Sequence, residues 1–228
     1  MYNIVSDKPR ITMKDVFFGP EYNIAEILRS VKDHGLDYKK MTEDVLIHRI
    51  TTMLLAEKTV GIFHGRMEFG PRALGHRSII ANPAFPEMKD YLNNHIKDRE
   101  WWRPYGISIL REFIPEVLDI DLPNRYMLFT GNVREKYKGL IPAAMHIDGS
   151  TRYQSVDEHD GFYYRLLKEF HRRTGIPAFI NTSFNHRGEP IVCSPEDALC
   201  SMQKTGIDSL AFTPGILVNK QKKTGSSL

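Results

Sequence analysis

TVGIFHGRMEFGPRALGHRS, residues 59–78, is the stretch on which the reading of the fold turns. Its first six residues form a short apolar run that suits a buried strand. A helix pattern precedes it over residues 42–58, where Thr42 can cap, Glu43 and Asp44 favour the helix dipole, and Leu46, Ile50, Met53 and Leu54 share one face. Where the apolar run ends, residues 65–78 place Arg66, Arg72 and Arg77 among three glycines. Glycine lets a backbone turn sharply and come close to a ligand, and guanidinium forks bind phosphate or carboxylate oxygens in pairs. Any one of these arginines also fits a solvated loop that makes surface ion pairs. The segment lacks the Gly-Lys-Ser/Thr ending of a Walker A loop and is not a GxGxxG fingerprint, so an anion here is expected to be held mainly by side chains.

Working outward, strands are expected over residues 107–113, 127–133, 176–180 and 209–218, and helices over 86–97, 160–174 and 195–205. A further helix is expected ahead of residue 42. The helix at 160–174 rests on Tyr163, Leu166, Leu167 and Phe170 at helical spacing and on Gly175 as the stop. The one at 195–205 rests on Ser194 as cap, Pro195 at the first helical position and Asp197 completing a capping box. Helices and strands interleave, which favours mixed α/β layers. Residues 1–20 read as an N-terminal arm or linker, 21–220 as one domain and 221–228 as a disordered tail. With 31 Lys and Arg against 28 Asp and Glu, the net charge of +3 does not argue for a general polyanion binder. Two cysteines, Cys193 and Cys200, cannot build a disulfide framework and are expected to be reduced core thiols in the cytoplasm. No apolar signal core or membrane-spanning run is visible, so the chain reads as soluble.

Three further constellations carry chemistry. NHIKDREWWRPYGIS, residues 94–108, sets Lys97, Arg99 and Arg103 around a tryptophan pair. Cations beside large aromatics can build a pocket that is apolar on one wall and anion-binding on another. The same residues also suit a helix end with Trp101 and Trp102 as core anchors. NTSFNHRGEP, residues 181–190, alternates Asn181, Ser183 and Asn185, which could present amide and hydroxyl groups on one side. A tight polar turn is its plainer reading. In MHIDGSTRYQ, residues 145–154, His146 and Asp148 make too small a set for a metal, and a turn centred on Gly149 explains them better. Arg152 remains as one more anion contact.

The strings GRMEFGPRALGHRSI, REWWRPYGISIL, IPAAMHIDGSTRYQSV and TGIPAFINTSFNHRGEPIVCSPEDAL together resemble the signature blocks of the C-terminal domain of NodU/CmcH carbamoyltransferases. The resemblance runs over residues 17–220 and departs at His76, where many relatives carry asparagine. It implies a YrdC-like α/β fold, a twisted mixed sheet with flanking helices and a basic concave pocket. IKDR, with Lys97 and Arg99, is similar to the Lys-x-Arg element of YrdC-type enzymes, and NTSFN is similar to their STSAN element.

The resemblance implies that ATP, with Mg²⁺ accompanying it, and carbamoyl phosphate give carbamoyl adenylate. A separate N-terminal domain of actin-like fold, with its own metal, would then pass the carbamoyl group to a hydroxyl-bearing small molecule. On this reading Arg72, Lys97 and Arg103 are the expected catalytic cations. Arg66, Arg77, Arg99, Arg152, Asn181, Ser183 and Asn185 are the expected nucleotide contacts, and no residue of this chain is assigned to a metal. The rival reading is a non-catalytic YrdC-like module that binds a nucleotide or RNA; neither a nucleic-acid partner nor a membrane is expected.

Overall fold

The computed structural model describes Met13 and residues 15–220. Expectations for residues 1–12 and for the tail at 221–228 lie outside the described residues. The chain folds as a nine-stranded mixed sheet with helices packed on it. Helix α1 (Ile24–Asp33) is followed by β1 (Tyr38–Lys40), α2 (Glu43–Leu55), β2 (Val60–Phe63) and β3 (Arg77–Ala81). Helix α3 (Met88–Tyr91) runs straight into a π-helical segment (Leu92–Lys97). After it come β4 (Gly106–Leu110), α4 (Ile114–Val117), β5 (Thr130–Asn132), α5 (Glu135–Lys138) and β6 (Ser150–Val156). The chain closes with α6 (Phe162–Thr174), β7 (Ala178–Ser183), α7 (Pro195–Lys204), β8 (Ser209–Phe212) and β9 (Ile216–Asn219).

Strand order is β1-β9-β8-β2-β3-β7-β4-β6-β5. Only β2 with β8 and β4 with β6 pair in parallel, so the sheet is mixed, as expected. Strands β2 and β3 are buried at every residue, which fits the apolar sequence of β2, while β3 buries Arg77 and Ser78 at its start along with its apolar residues. Helices α2 and α6 pack on each other and on β2, β4 and β7, and α1 and α7 pack on each other and on β2 and β8. The core between these layers is built from residues such as Ile50, Leu54, Ile62, Leu166, Phe170 and Phe179.

Two helix ends follow their sequence signals closely. The Thr42 side chain accepts from Val45 N–H at the start of α2. Ser194 and Asp197 form the reciprocal capping box at the start of α7, with Pro195 just inside. Other expectations need correction. The run at 209–218 is a hairpin of two strands, because a turn at 213–215 containing Pro214, which cannot sit in a central strand, divides it. Strand β3 begins inside the arginine segment, and β6, for which no strand was expected, starts directly after Gly149. Cys193 and Cys200 are half-buried free thiols rather than core ones. Trp101 and Trp102 are 65% and 56% exposed, so neither anchors the core.

Candidate functional site

A cavity of about 270 Å³ opens where the β2–β3 loop, the segment leading into β4, the start of β6 and the end of β7 meet. Arg72, Arg99, Arg103 and Arg152 line it, together with Tyr105, His146, Asn181 and Ser183. These residues come from all four motif segments, which fold onto one place.

The loop carrying Arg72 is braced by groups from elsewhere in the fold. The buried Glu68 carboxylate accepts through Oε1 from Leu74 N–H at 2.7 Å and Arg77 N–H at 3.1 Å. Gln154 Nε2 donates to Leu74 O at 2.9 Å, and Asn181 Nδ2 donates to Ala73 O at 3.1 Å. Gly75, at φ +105, allows the loop to lie on Tyr163: a Cβ there would stand 2.7 Å from that ring. The backbone beside Arg72 is thus fixed, while its guanidinium makes no hydrogen bond or ion pair with the described residues, and the same holds for Arg152. Burial, and next the charge of Arg152, hold the Arg72 pKa below its ordinary value. A guanidinium stays charged under such pressure, so the two cations repel each other with no acid between them.

Arg99 and Arg103 are placed by Asn93, buried in the π-helical segment. Its Nδ2 donates to Trp101 O and Arg103 O, both at 3.2 Å. Its Oδ1 accepts from Arg99 Nε at 2.8 Å and Tyr105 Oη at 2.7 Å. The Arg99 guanidinium lies over the Tyr105 ring at 4.3 Å. Arg103 has only a loose ion pair with Glu100 at 3.8 Å, both side chains half exposed, which contributes little.

Lys97 behaves differently from expectation. It is buried, it does not line the cavity, and its ammonium donates to Ser183 O, Ser183 Oγ (3.1 Å), Asn185 O (3.0 Å) and Asn185 Oδ1 (2.7 Å). It therefore clamps the turn after β7 from behind. Burial, then Arg99 and Arg103, pull its pKa from 10.5 to about 7.

Other expected nucleotide contacts are structural. Arg66 turns away from the cavity and donates to Phe17 O and Phe18 O, tying residues 15–20 to the β2–β3 loop. Arg77 is wholly buried, donates to the carbonyls of Pro20, His64, Gly65 and His76, and stacks 3.5 Å from the Phe63 ring centroid. As a β3 residue its side chain faces the layer below the loop. Asn185 is committed to Lys97 and Glu189 O, and does not reach the cavity. Asn181 does reach it, but its Nδ2 is taken by Ala73 O, Ser108 Oγ and Gln154 Oε1. The expected turn at Gly149 is present, with Asp148 Oδ1 accepting from Ser150 N–H at 2.9 Å and Ser150 Oγ at 2.7 Å.

Sequence reasoning passes over Glu68, Asn93 and Gln154, which hold these cations in place. An acid inside an arginine-rich loop is a signal for Glu68. For Asn93 the partners lie six to twelve residues ahead, and for Gln154 the partner on the β2–β3 loop is remote in sequence; no regular spacing marks either.

Four guanidinium groups with no carboxylate in the lining suit a ligand with several anionic oxygens. Among the described residues no three His, Cys, Asp or Glu side chains gather to hold a metal ion, and no helix is long and apolar enough to cross a membrane.

The family model described as Carbamoyltransferase C-terminus matches residues 51–220. Nodulation protein NolO of Bradyrhizobium diazoefficiens is 34% identical over 220 residues, covering 93% of this chain and 40% of that protein. Nodulation protein U of Rhizobium tropici is 38% identical over 177 residues, covering 77% of this chain and 30% of that protein. The chain thus spans well under half the length of these curated relatives. Full-length HypF, crystallised in a phosphate- and nucleotide-bound form, superposes with a TM-score of 0.55 at 18% identity, over 76% of this chain and 26% of that one, which shows a shared fold. With most of its length under one family model and relatives above 30% identity along it, the chain belongs to the carbamoyltransferase C-terminus family.

Proposed function

We propose that this domain forms carbamoyl adenylate from carbamoyl phosphate and ATP in the arginine cavity. The observation that carries the reading is that Arg72 and Arg152 converge on the cavity without a protein counter-ion, beside Arg99 and Arg103. Like charges gathered without acids cost stability, and an anionic ligand with several oxygens compensates them.

Carbamoyl phosphate first loses its phosphate to water, leaving carbamate and inorganic phosphate. A carbamate oxygen then attacks the α-phosphorus of ATP; its new bond to phosphorus forms as the bond to the bridging oxygen of the β-phosphate breaks, and pyrophosphate leaves. Charge builds on the non-bridging oxygens during the attack. Fixed guanidinium groups stabilise it without reorganising, and removing one such donor costs about 3–4 kcal/mol. Arg72, Arg103 and Arg152 are the groups free to do this, and Arg99 adds charge from its stacked position, while the Ser183 hydroxyl donates to Asn185 Oδ1 at 2.7 Å and helps to hold the turn after β7. Lys97 acts through the turn it holds. The lining of this cavity has no carboxylate, and Mg²⁺ would enter on the phosphates of the nucleotide.

The relatives' additional length leaves room for a transferase domain that passes the carbamoyl group to a hydroxyl acceptor, in the cytoplasm where ATP is supplied. A small enclosed cavity suits this better than a duplex RNA, which is read over an extended surface. The reading is tested by ¹³C-labelled carbamoyl phosphate and ATP followed by phosphorus NMR. Pyrophosphate, phosphate and a new phosphodiester-type α-phosphorus resonance coupled to the labelled carbon, distinct from the coupled resonance of carbamoyl phosphate itself, are expected. ATP that binds but yields no such resonance contradicts it.

A further inference from the structure

The adenylation chemistry gives no part to His146, which lies between α5 and β6 and lines the arginine cavity together with Arg152. Its backbone is held. The N–H donates to Ser150 O at 2.8 Å, and the carbonyl accepts from Gly149 N–H at 3.0 Å. Its imidazole makes no hydrogen bond, ion pair or ring contact with the described residues. A fixed backbone that presents an uncommitted imidazole to a cavity leaves that ring available to a reacting group.

Transfer of the phosphate of carbamoyl phosphate to water releases a proton, so the site needs a group that can take it. The lining supplies one. Four of its side chains are guanidinium groups, which stay charged and have no lone pair to offer. The Tyr105 hydroxyl donates to Asn93 Oδ1, and burial above all pushes its pKa up to about 12, so it stays protonated as well. With no carboxylate in the lining, the His146 imidazole is left. Burial holds its pKa below the ordinary 6.5, Asp148 opposes that shift and Arg152 adds to it, so the ring is neutral at neutral pH and one nitrogen carries a free lone pair. The charged groups around it are Arg72, Arg99, Arg103 and Arg152 in the arginine cavity, and Lys89 and Asp148 in an adjoining cavity of about 360 Å³ that His146 also lines.

We propose that His146 is the general base of the hydrolytic step, taking a proton from the water that attacks carbamoyl phosphate. The proposal rests on the carbamoyl-adenylate reading of the cavity. The water oxygen bonds to phosphorus as the bond from phosphorus to the carbamoyl oxygen breaks. One water proton passes to the imidazole, the other stays on the phosphate, and carbamate leaves with the bonding pair. Attack at phosphorus suits guanidinium forks that hold phosphoryl oxygens, and it delivers carbamate directly as the anion that attacks ATP.

Phosphate release from carbamoyl phosphate in the presence of ATP reads this step. For the parent chain, kcat/KM should rise with pH below 6.5 and level off above it, as the imidazole of the free enzyme loses its proton. His146→Ala should lower the rate about 100-fold or more, the contribution of a general base, and keep the parent's ATP affinity by calorimetry. Free imidazole, which can enter through the adjoining cavity, should restore part of that rate in proportion to its unprotonated form. A His146→Ala chain as fast as the parent overturns the base and leaves the adenylate reading standing. So does one that is slow and unresponsive to imidazole, or one whose ATP affinity falls with its rate, since the damage is then structural. A parent chain that releases no phosphate above the uncatalysed rate overturns the adenylate reading, and the base with it.

Discussion

Arg72 and Arg152 sit near enough to repel, and the backbone that carries them is fixed by Glu68, Gln154, Asn181 and the β6 ladder. Replacing either with alanine is expected to lower adenylate formation by roughly 100- to 1,000-fold, the effect of losing one transition-state donor. The fold should melt at or above the parent temperature, because a repulsion is relieved. Thermal melts run beside the activity assay check both halves. Arg77 should give the reverse pattern. Burial lowers its pKa to about 10 against the opposing charge of Glu68, and its removal leaves that buried carboxylate uncompensated. Arg77→Ala is expected to cost about 3–5 kcal/mol, read as a chemical-denaturation midpoint well below the parent's. Glu68→Ala should weaken both stability and rate, since it frees the loop around Arg72. Glu68→Gln keeps an oxygen acceptor for Leu74 N–H and should retain more of each, which a side-by-side melt and rate measurement decides. Arg66, Arg72 and Arg77 share one glycine-rich segment and look alike in sequence. Their roles separate only through strand pairing, because β3 turns Arg77 inward and the loop leaves Arg72 outward.

The π-helical segment and the turn after β7 form one device at the scale of elements. The segment ends with Lys97, whose ammonium holds the carbonyls and side chains of Ser183 and Asn185. Its folded pKa of about 7 lies below the ordinary 10.5, so between these values the unfolded chain binds more protons than the folded one. Stability from this group therefore rises with pH across that window. Urea unfolding near pH 6.5 and pH 9 should show the parent gaining on Lys97→Met as pH rises; equal pH dependence in the two would contradict the assignment. The helix expected at 86–97 was legible in its apolar spacing, but its change to π geometry was not. Asn93, inside that segment, is a buried polar residue whose side-chain bonds run to residues 99–103, and helical spacing does not signal them. Strand β6 was hidden because polar side chains in it, such as Gln154, find partners only once the sheet and the β2–β3 loop are assembled. The capping box of α7 was fully legible because all of its partners lie within three residues.

In the whole molecule, the sheet order β3-β7-β4-β6 brings the strand ends bearing Asn181, Gly106 and Arg152 side by side, and the β2–β3 loop closes over them. Segments separated by more than a hundred residues thereby meet in one cavity. Which of their cations face it could be settled only by the three-dimensional arrangement. The account's central claim is that this arrangement activates carbamate on ATP. Exchange of labelled pyrophosphate into ATP by the parent chain, with and without carbamoyl phosphate, tests it most directly. Exchange that requires carbamoyl phosphate and disappears in Arg72→Ala is the predicted result; a folded parent chain that binds ATP yet exchanges no label under either condition would contradict it.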